Sequence, residues 1–141
     1  MNDDLLFKAL HIAMNAHEGQ VDRAGKPYIM HPIMVASMTH SCDEFVTALL
    51  HDVLEDSTYT VDDLHREGIP EHIVEALCLL THDKDEPYMD YVRRIKCSPL
   101  ARAVKLADLK HNSDLSRLPV ISEKDLARAE KYKAAMELLA E

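Results

Sequence analysis

Glycine, cysteine and positive charge are all scarce in this 141-residue chain, and each shortage removes a class of protein. Only Gly19, Gly25 and Gly68 supply glycine, and alternation of apolar and polar residues never lasts more than a few positions, so no strand pattern is present. The three cysteines, Cys42, Cys78 and Cys97, are widely spaced and odd in number. They fit neither a disulfide framework nor a Cys-x-x-Cys zinc site and read as reduced filler. No apolar run approaches the roughly 18 residues that a helical membrane span requires, so no membrane partner is expected. The opening "MNDDLLFKAL" is acidic and lacks the basic start and long apolar stretch of a secretory signal. A soluble, cytoplasmic protein is expected. Lysine and arginine number 16 against 25 aspartates and glutamates, a formal net charge of −9. That argues against general nucleic-acid binding, which needs a basic face to displace counterions. It leaves room for a small phosphorylated ligand held by a metal and a few cations.

What the chain does have is helical periodicity, histidine and acid. Hydrophobic residues make up 47%, and the length fits a single domain over residues 1–141 with one buried core. Leu5, Leu6, Ala9, Leu10, Ile12, Ala13 and Ala16 predict a helix over about 3–17. "EGQVDRAGKPY" reads as a loop. Pro32 suits the first turn of a second helix reaching about Thr39, and a third runs over about 43–55. Thr60 as N-cap and Gly68 as C-cap bound a short helix. A fifth helix follows Pro70, and Pro87 and Pro99 open two more, over about 87–97 and 99–113. "SEKD" is close to a capping box with Asp125 at its third helical position, and it opens a last helix over about 123–140. The expectation is an all-α, single-domain helical bundle.

Nine histidines beside 25 acids make metal chemistry the first thing to test. Four potential ligands stand out. His31 precedes Pro32 at the mouth of the second helix. His51 and Asp52 are adjacent in "LLHDVLED". Asp108 lies in "AVKLADLKHN", on an otherwise apolar helix. Two imidazoles and two carboxylates suit a borderline divalent metal such as Mn²⁺ or Fe²⁺, and the lack of a thiolate weighs against structural zinc. A His-Asp pair on a helix is ordinarily a cap or a surface hydrogen bond. His82 and Asp83, in "LLTHDKDEP", are read that way, as a solvated helix end outside the site. His51 and Asp52 differ because Val53 and Leu54 continue the apolar pattern, and burying their charge without a partner is costly. Glu55 stands at i+4 from His51, and Asp56 at i+4 from Asp52, so a helix puts each pair on one face. A carboxylate there can take a proton from an attacking water or orient it. Asn112 is at i+4 from Asp108, and Lys105 at i−3 can neutralise phosphate or pair with a carboxylate.

"AHEGQVDRAGKPYIMHP", "LLHDVLEDST" and "VKLADLKHN", in that order, resemble the hydrolase domain of the RelA/SpoT homologues. In size the chain is similar to the free-standing small alarmone hydrolases of the HD superfamily. The resemblance runs from His17 to about Asn112. It implies one Mn²⁺ bound by His31, His51, Asp52 and Asp108, with Glu55 and Asp56 serving catalysis and Asn112 contacting substrate. His111 matches the "HN" of the family and is not taken as a ligand. The implied reaction removes pyrophosphate from the 3′ position of ppGpp or pppGpp and leaves GDP or GTP. No synthetase domain is expected in 141 residues.

Two places depart from the family pattern. Its phosphate loop usually reads Arg-Lys-Ser-Gly, whereas here Asp22-Arg23-Ala24-Gly25-Lys26 stands, with Asp22 in place of a cation. Arg23 and Lys26 are the expected phosphate-binding cations of this loop, with Asp22 opposing them. Leu109 replaces a usual arginine. Both changes are expected to touch phosphate or base recognition rather than the metal. They keep open a phosphohydrolase for another nucleotide, such as NADPH or a nucleoside polyphosphate, and a nucleotide-binding module without turnover.

Overall fold

Local capping sets several element boundaries. In this computed structural model, which describes residues 3–141, hydroxyl caps open four of the helices. The elements are α1 (Asp3–Ala16), α2 (Met30–Ser37), α3 (Cys42–Leu50), α4 (Val53–Asp56), α5 (Val61–Arg66), α6 (Glu71–Leu79), α7 (Tyr88–Ile95), α8 (Pro99–Asn112), a 3₁₀ turn (Leu115–Arg117) and α9 (Glu123–Ala140). Ser41 caps α3 by accepting from the Glu44 N–H, and Ser98 caps α8 with Pro99 at its first position. Thr60 with Asp63, and Ser122 with Asp125, form reciprocal capping boxes. Gly68 ends α5 region with φ +83°, a conformation that other residues rarely adopt.

The short α3 is the hub. Its last five residues, Val46 to Leu50, are all buried, and α1, α2, α6 and α8 pack against it. α8 in turn packs against α2, α3, α6, α7 and α9. The core gathers Ile12, Val35, Leu49, Leu50, Val53, Leu64, Ile73, Leu77, Ile95, Val104, Leu109 and Leu139. Each such side chain contributes about 1.5–3 kcal/mol on leaving water. Among the described residues no helix is long and apolar enough to cross a membrane.

The expected third helix over 43–55 is not continuous. It stops at Leu50 and restarts at Val53. The His51 Nδ1–H donates to the Ala48 carbonyl at 2.6 Å, alongside a tightened i→i+3 bond from the His51 backbone N–H to the same oxygen. Asp52 then sits at φ −102°, ψ 0°, outside regular helical geometry. The turn closes again with the Asp56 N–H donating to the Asp52 carbonyl at 2.9 Å. The break keeps the i+4 relation of Asp52 and Asp56 while turning His51 and Asp52 toward α2 and α8.

Candidate functional site

Three helices bring four side chains to one point. His31 lies in the first turn of α2, His51 caps α3, Asp52 occupies the break, and Asp108 projects from α8. His31 Nε2 is 2.9 Å from Asp108 Oδ1 and 3.7 Å from Asp52 Oδ2. His51 Nε2 is 3.1 Å from Asp52 Oδ2 and 3.4 Å from Asp108 Oδ1. The ligand atoms of His31, His51 and Asp52 all lie within 4.8 Å of one another, and Asp108 stands outside that trio, joined to it by its contacts with the two histidines. His31, His51 and Asp108 are buried, at 3–4% exposure. The four residues singled out in the sequence as a ligand set are therefore neighbours.

Hydrogen bonds fix which atoms face the centre. The Ala48 carbonyl can only accept, so His51 Nδ1 carries a proton and Nε2 is the ring atom that faces the two carboxylates. Although close to both, His51 Nε2 is buried without an aligned hydrogen bond. These ring nitrogens and carboxylate oxygens crowd one centre. His31 Nδ1 and His111 Nδ1 are 2.7 Å apart and share one proton. The other ring nitrogen, His31 Nε2, donates to Asp108 Oδ1 at 2.9 Å and so faces the same centre. Burial, then His31 and Arg117, lower the His111 pKa to about 4 and keep that ring neutral. The Tyr28 hydroxyl donates to Asp52 Oδ2 at 2.5 Å. Lys105 Nζ and Asn112 Nδ2 donate to the two Asp108 oxygens at 2.9 and 3.0 Å.

The electrostatics point the same way. Burial works to raise the Asp108 pKa, but Lys105 and the two histidines hold it well below the usual carboxylate range. Burial opposes the charge of His51 too, yet Asp52 and Asp108 push its pKa well up. The pocket therefore favours a positive charge between its carboxylates, which is what a divalent cation supplies. A nitrogen and oxygen donor set without thiolate fits such an ion.

Glu55 and Asp56 border this centre. Ligand oxygens of Asp52, Glu55 and Asp56 lie within 4.8 Å of one another. Glu55 Oε1 accepts the His82 backbone N–H at 2.7 Å, which fixes one of its oxygens. Partial burial, then the charges of Asp52 and Glu55, push Asp56 up to about 6. A cavity of about 90 Å³ opens between His51, Asp52, Glu55, His82, Tyr88 and Lys105. The reading of His82 and Asp83 as a solvated helix end is corrected here. Asp83 is exposed, but His82 is half-buried on the cavity wall because its ring packs on Tyr91 and donates to the Glu86 carbonyl at 2.7 Å. His82 is not part of the clustered ligand group.

On the other side of His31 a second cavity, of about 180 Å³, is lined by Val21, Asp22, Arg23, Ala24, Tyr28, His31, Asn112, Asp114, Arg117, Leu118 and Tyr132. Arg23 and Asn112, two of the expected substrate-binding residues, are among its lining. Lys26 is exposed and does not line this cavity. Lys105 lies in the smaller cavity instead, 11% exposed, against Asp108 and the rings of Tyr88 and Tyr91.

No family model matches the chain. Curated relatives and a solved structure do. The bifunctional (p)ppGpp synthase/hydrolase SpoT of Escherichia coli is 34% identical over 122 residues, 76% of this chain and 17% of the relative. A guanosine-3′,5′-bis(diphosphate) 3′-pyrophosphohydrolase of Borreliella burgdorferi is 35% identical over 130 residues, covering 81% and 19%. The structure of a metazoan ortholog of SpoT, described as hydrolysing ppGpp with a role in starvation responses, superposes with a TM-score of 0.73 at 22% identity, covering 99% of this chain and 84% of the other. Over most of its length the chain is similar to part of these SpoT-type proteins, and it shares the fold of the metazoan one. It spans less than a fifth of the length of these curated relatives.

The structure shows what the two departures from the RelA/SpoT pattern contact. Asp22 was expected to oppose the loop cations. Its Oδ1 instead accepts the Ala24 and Lys26 backbone N–H groups at 2.8 and 2.9 Å, shaping the loop, and its Oδ2 lies 3.5 Å from Arg117. Leu109 was expected to alter recognition, but it is fully buried in the core and faces away from the cavities. Arg23 is not free either, because it is ion-paired with the buried Asp125 at the start of α9.

Several site residues were not singled out from the sequence. Tyr28 has a signal, three positions before His31 within "KPYIMHP", but its bond to Asp52 spans 24 residues. Gln20 donates to the Asp56 carbonyl at 2.8 Å and accepts from His17, tying the loop to α4. Arg117 reaches the site only because the 3₁₀ turn folds back beside α8.

Proposed function

We propose that this chain acts as one domain that hydrolyses (p)ppGpp at its 3′ position, releasing pyrophosphate and leaving GDP or GTP. The observation that carries the reading is the convergence of His31, His51, Asp52 and Asp108, with an orphaned His51 Nε2, beside Glu55 and Asp56. Its support from relatives is that proteins aligning with 76% and 81% of this chain carry this activity in their names. The four residues would hold one divalent ion, and the donor set suits Mn²⁺. When bound, such an ion supplies Lewis acidity, making a water more acidic and drawing charge from a phosphoryl oxygen.

The remaining work falls to side chains of this chain. Glu55 has one oxygen tied to the His82 N–H, which leaves the other to take a proton from the attacking water. Asp56, with its raised pKa, returns a proton to the departing 3′ oxygen. Lys105, held charged by Asp108 despite its burial, offsets charge on the pyrophosphate in the smaller cavity. Asn112 spans Asp108 and the larger cavity, so it orients the nucleotide relative to the ligands. The substrate is a small nucleotide in the cytoplasm rather than nucleic acid, in keeping with a net charge of −9.

The test separates binding from turnover. Glu55→Gln is expected to keep divalent-ion affinity and lose at least about 100-fold in kcat, the usual size of a general-base contribution. His51→Ala is expected to lose both. Near-native kcat in Glu55→Gln would reduce Glu55 to a helix-end residue and remove the assignment.

A further inference from the structure

The larger cavity does not have the charge of a polyphosphate site. Its two guanidinium groups each face a carboxylate: Arg23 is paired with Asp125, and Arg117 Nη1 is 3.5 Å from Asp22 Oδ2. Asp114, on the same wall, spends its Oδ1 on the Ser116 N–H and hydroxyl. No spare positive charge remains, while Val21, Ala24, Leu118, Tyr28 and Tyr132 supply apolar and aromatic surface. Such a lining, mostly apolar with a few placed polar groups, is that of a flat neutral ligand.

Arg117 is the polar group left wanting. Its Nε is buried without a hydrogen-bond partner, and its two terminal contacts, to Asp22 and to the His111 carbonyl, are both long at 3.5 Å. A buried donor without a partner costs about 1–3 kcal/mol, and such groups are rare. Guanidinium carries only donors, so the missing ligand must present acceptors. Among nucleobases, guanine offers two adjacent acceptors, O6 and N7, to a guanidinium fork, whereas adenine puts an amino donor in place of O6.

We infer that Arg117 reads the guanine base, donating to its O6 and N7 in the larger cavity, and that Asp22 positions Arg117 for this contact. The inference rests on the proposed nucleotide reaction for where the base lies, and it makes Arg117 a specificity residue. Asp22 becomes an anchor of the base site. One bidentate contact of this kind discriminates bases by about 1–3 kcal/mol, or roughly 5- to 150-fold.

The experiment compares guanosine and adenosine 3′,5′-bis(diphosphates) as substrates, and GDP and ADP as ligands by calorimetry, for the native chain, Arg117→Ala, Arg117→Lys and Asp22→Asn. Arg117→Ala is expected to raise KM for the guanine substrate about tenfold or more with kcat kept, and to leave the adenine substrate unchanged, so selectivity collapses. Arg117→Lys restores little, because a lysine lacks the fork, and Asp22→Asn loses part of the selectivity. A purely structural arginine would weaken both bases alike, and that result overturns the inference, as does native selectivity in Arg117→Ala. If neither bis(diphosphate) is hydrolysed, the reaction proposed above fails. A preference for GDP over ADP that Arg117→Ala abolishes would still support the base contact, and equal binding of the two would overturn it.

Discussion

Tyr28→Phe removes one oxygen atom and nothing else of consequence to packing. The ring contacts of Tyr28 with His17 and His31, at 4.9 and 5.6 Å between centroids, are kept by phenylalanine. What goes is the 2.5 Å hydrogen bond to Asp52 Oδ2, the oxygen that faces both histidine Nε2 atoms. Asp52 needs that restraint more than a carboxylate within a helix would, because its backbone sits in the break between α3 and α4. A hydrogen bond to a charged group contributes about 1.5–3 kcal/mol. At about 1.4 kcal/mol per decade this is roughly a 10- to 100-fold weakening of divalent-ion binding, the usual cost of losing an outer partner of a metal ligand. Loss of the donor also makes the carboxylate more basic, which favours binding, but a freely rotating Asp52 no longer presents Oδ2 to the shared centre. Orientation is expected to win. Titration of the metal-stripped protein with Mn²⁺ by calorimetry reads the affinity, and circular dichroism checks that the fold is intact. An affinity within twofold of the native chain would show that Tyr28 only packs there, and would refute the orientation argument.

Two further outcomes follow from neighbouring contacts. Arg94 donates to the Glu86 carboxylate at 2.8 and 2.9 Å and to the Leu79 and Thr81 carbonyls at 2.8 and 2.9 Å, pinning the segment whose His82 N–H holds Glu55. Arg94→Ala is expected to cost about 2 kcal/mol of stability in denaturant unfolding and to lower kcat with metal affinity unchanged; intact kcat would disconnect that segment from Glu55. In the metal-free protein Asp56 is pushed from its ordinary 3.8 up to about 6, first by burial and then by Asp52 and Glu55. Below both values neither the folded nor the unfolded state carries the charge, and above both the folded state bears its cost, so this group's contribution to stability falls as pH rises from about 4 to about 6. Asp56→Asn is expected to raise the Tm of the metal-free chain at pH 7 and leave it unchanged near pH 3.5; the opposite order would remove the raised pKa.

The helices were legible because their signals are local. Thr60 with Asp63, Ser122 with Asp125, and Pro99 after Ser98 cap where the sequence says they do. The clustering of the candidate ligands was legible because His51, Asp52 and Asp108 interrupt apolar patterns that burial would otherwise forbid to charge. The break at His51 was not, because it depends on the imidazole bonding to the Ala48 carbonyl, a choice that periodicity does not record. The contacts of Asp22 and Leu109 were hidden for the same reason. Pairing across 95 residues turned one acid into a partner of Arg117, and packing turned one side chain into core. Tyr28, His111 and Arg117 act through contacts made only once α2, α8 and the 3₁₀ turn have come together.

The most direct measurement follows ppGpp by phosphorus NMR with the purified, metal-stripped chain before and after Mn²⁺ is added. The account expects no change before addition, then equimolar GDP and pyrophosphate, with the same treatment of His51→Ala leaving ppGpp intact. Intact ppGpp with the Mn²⁺-loaded native chain, or release of orthophosphate in place of pyrophosphate, would contradict it.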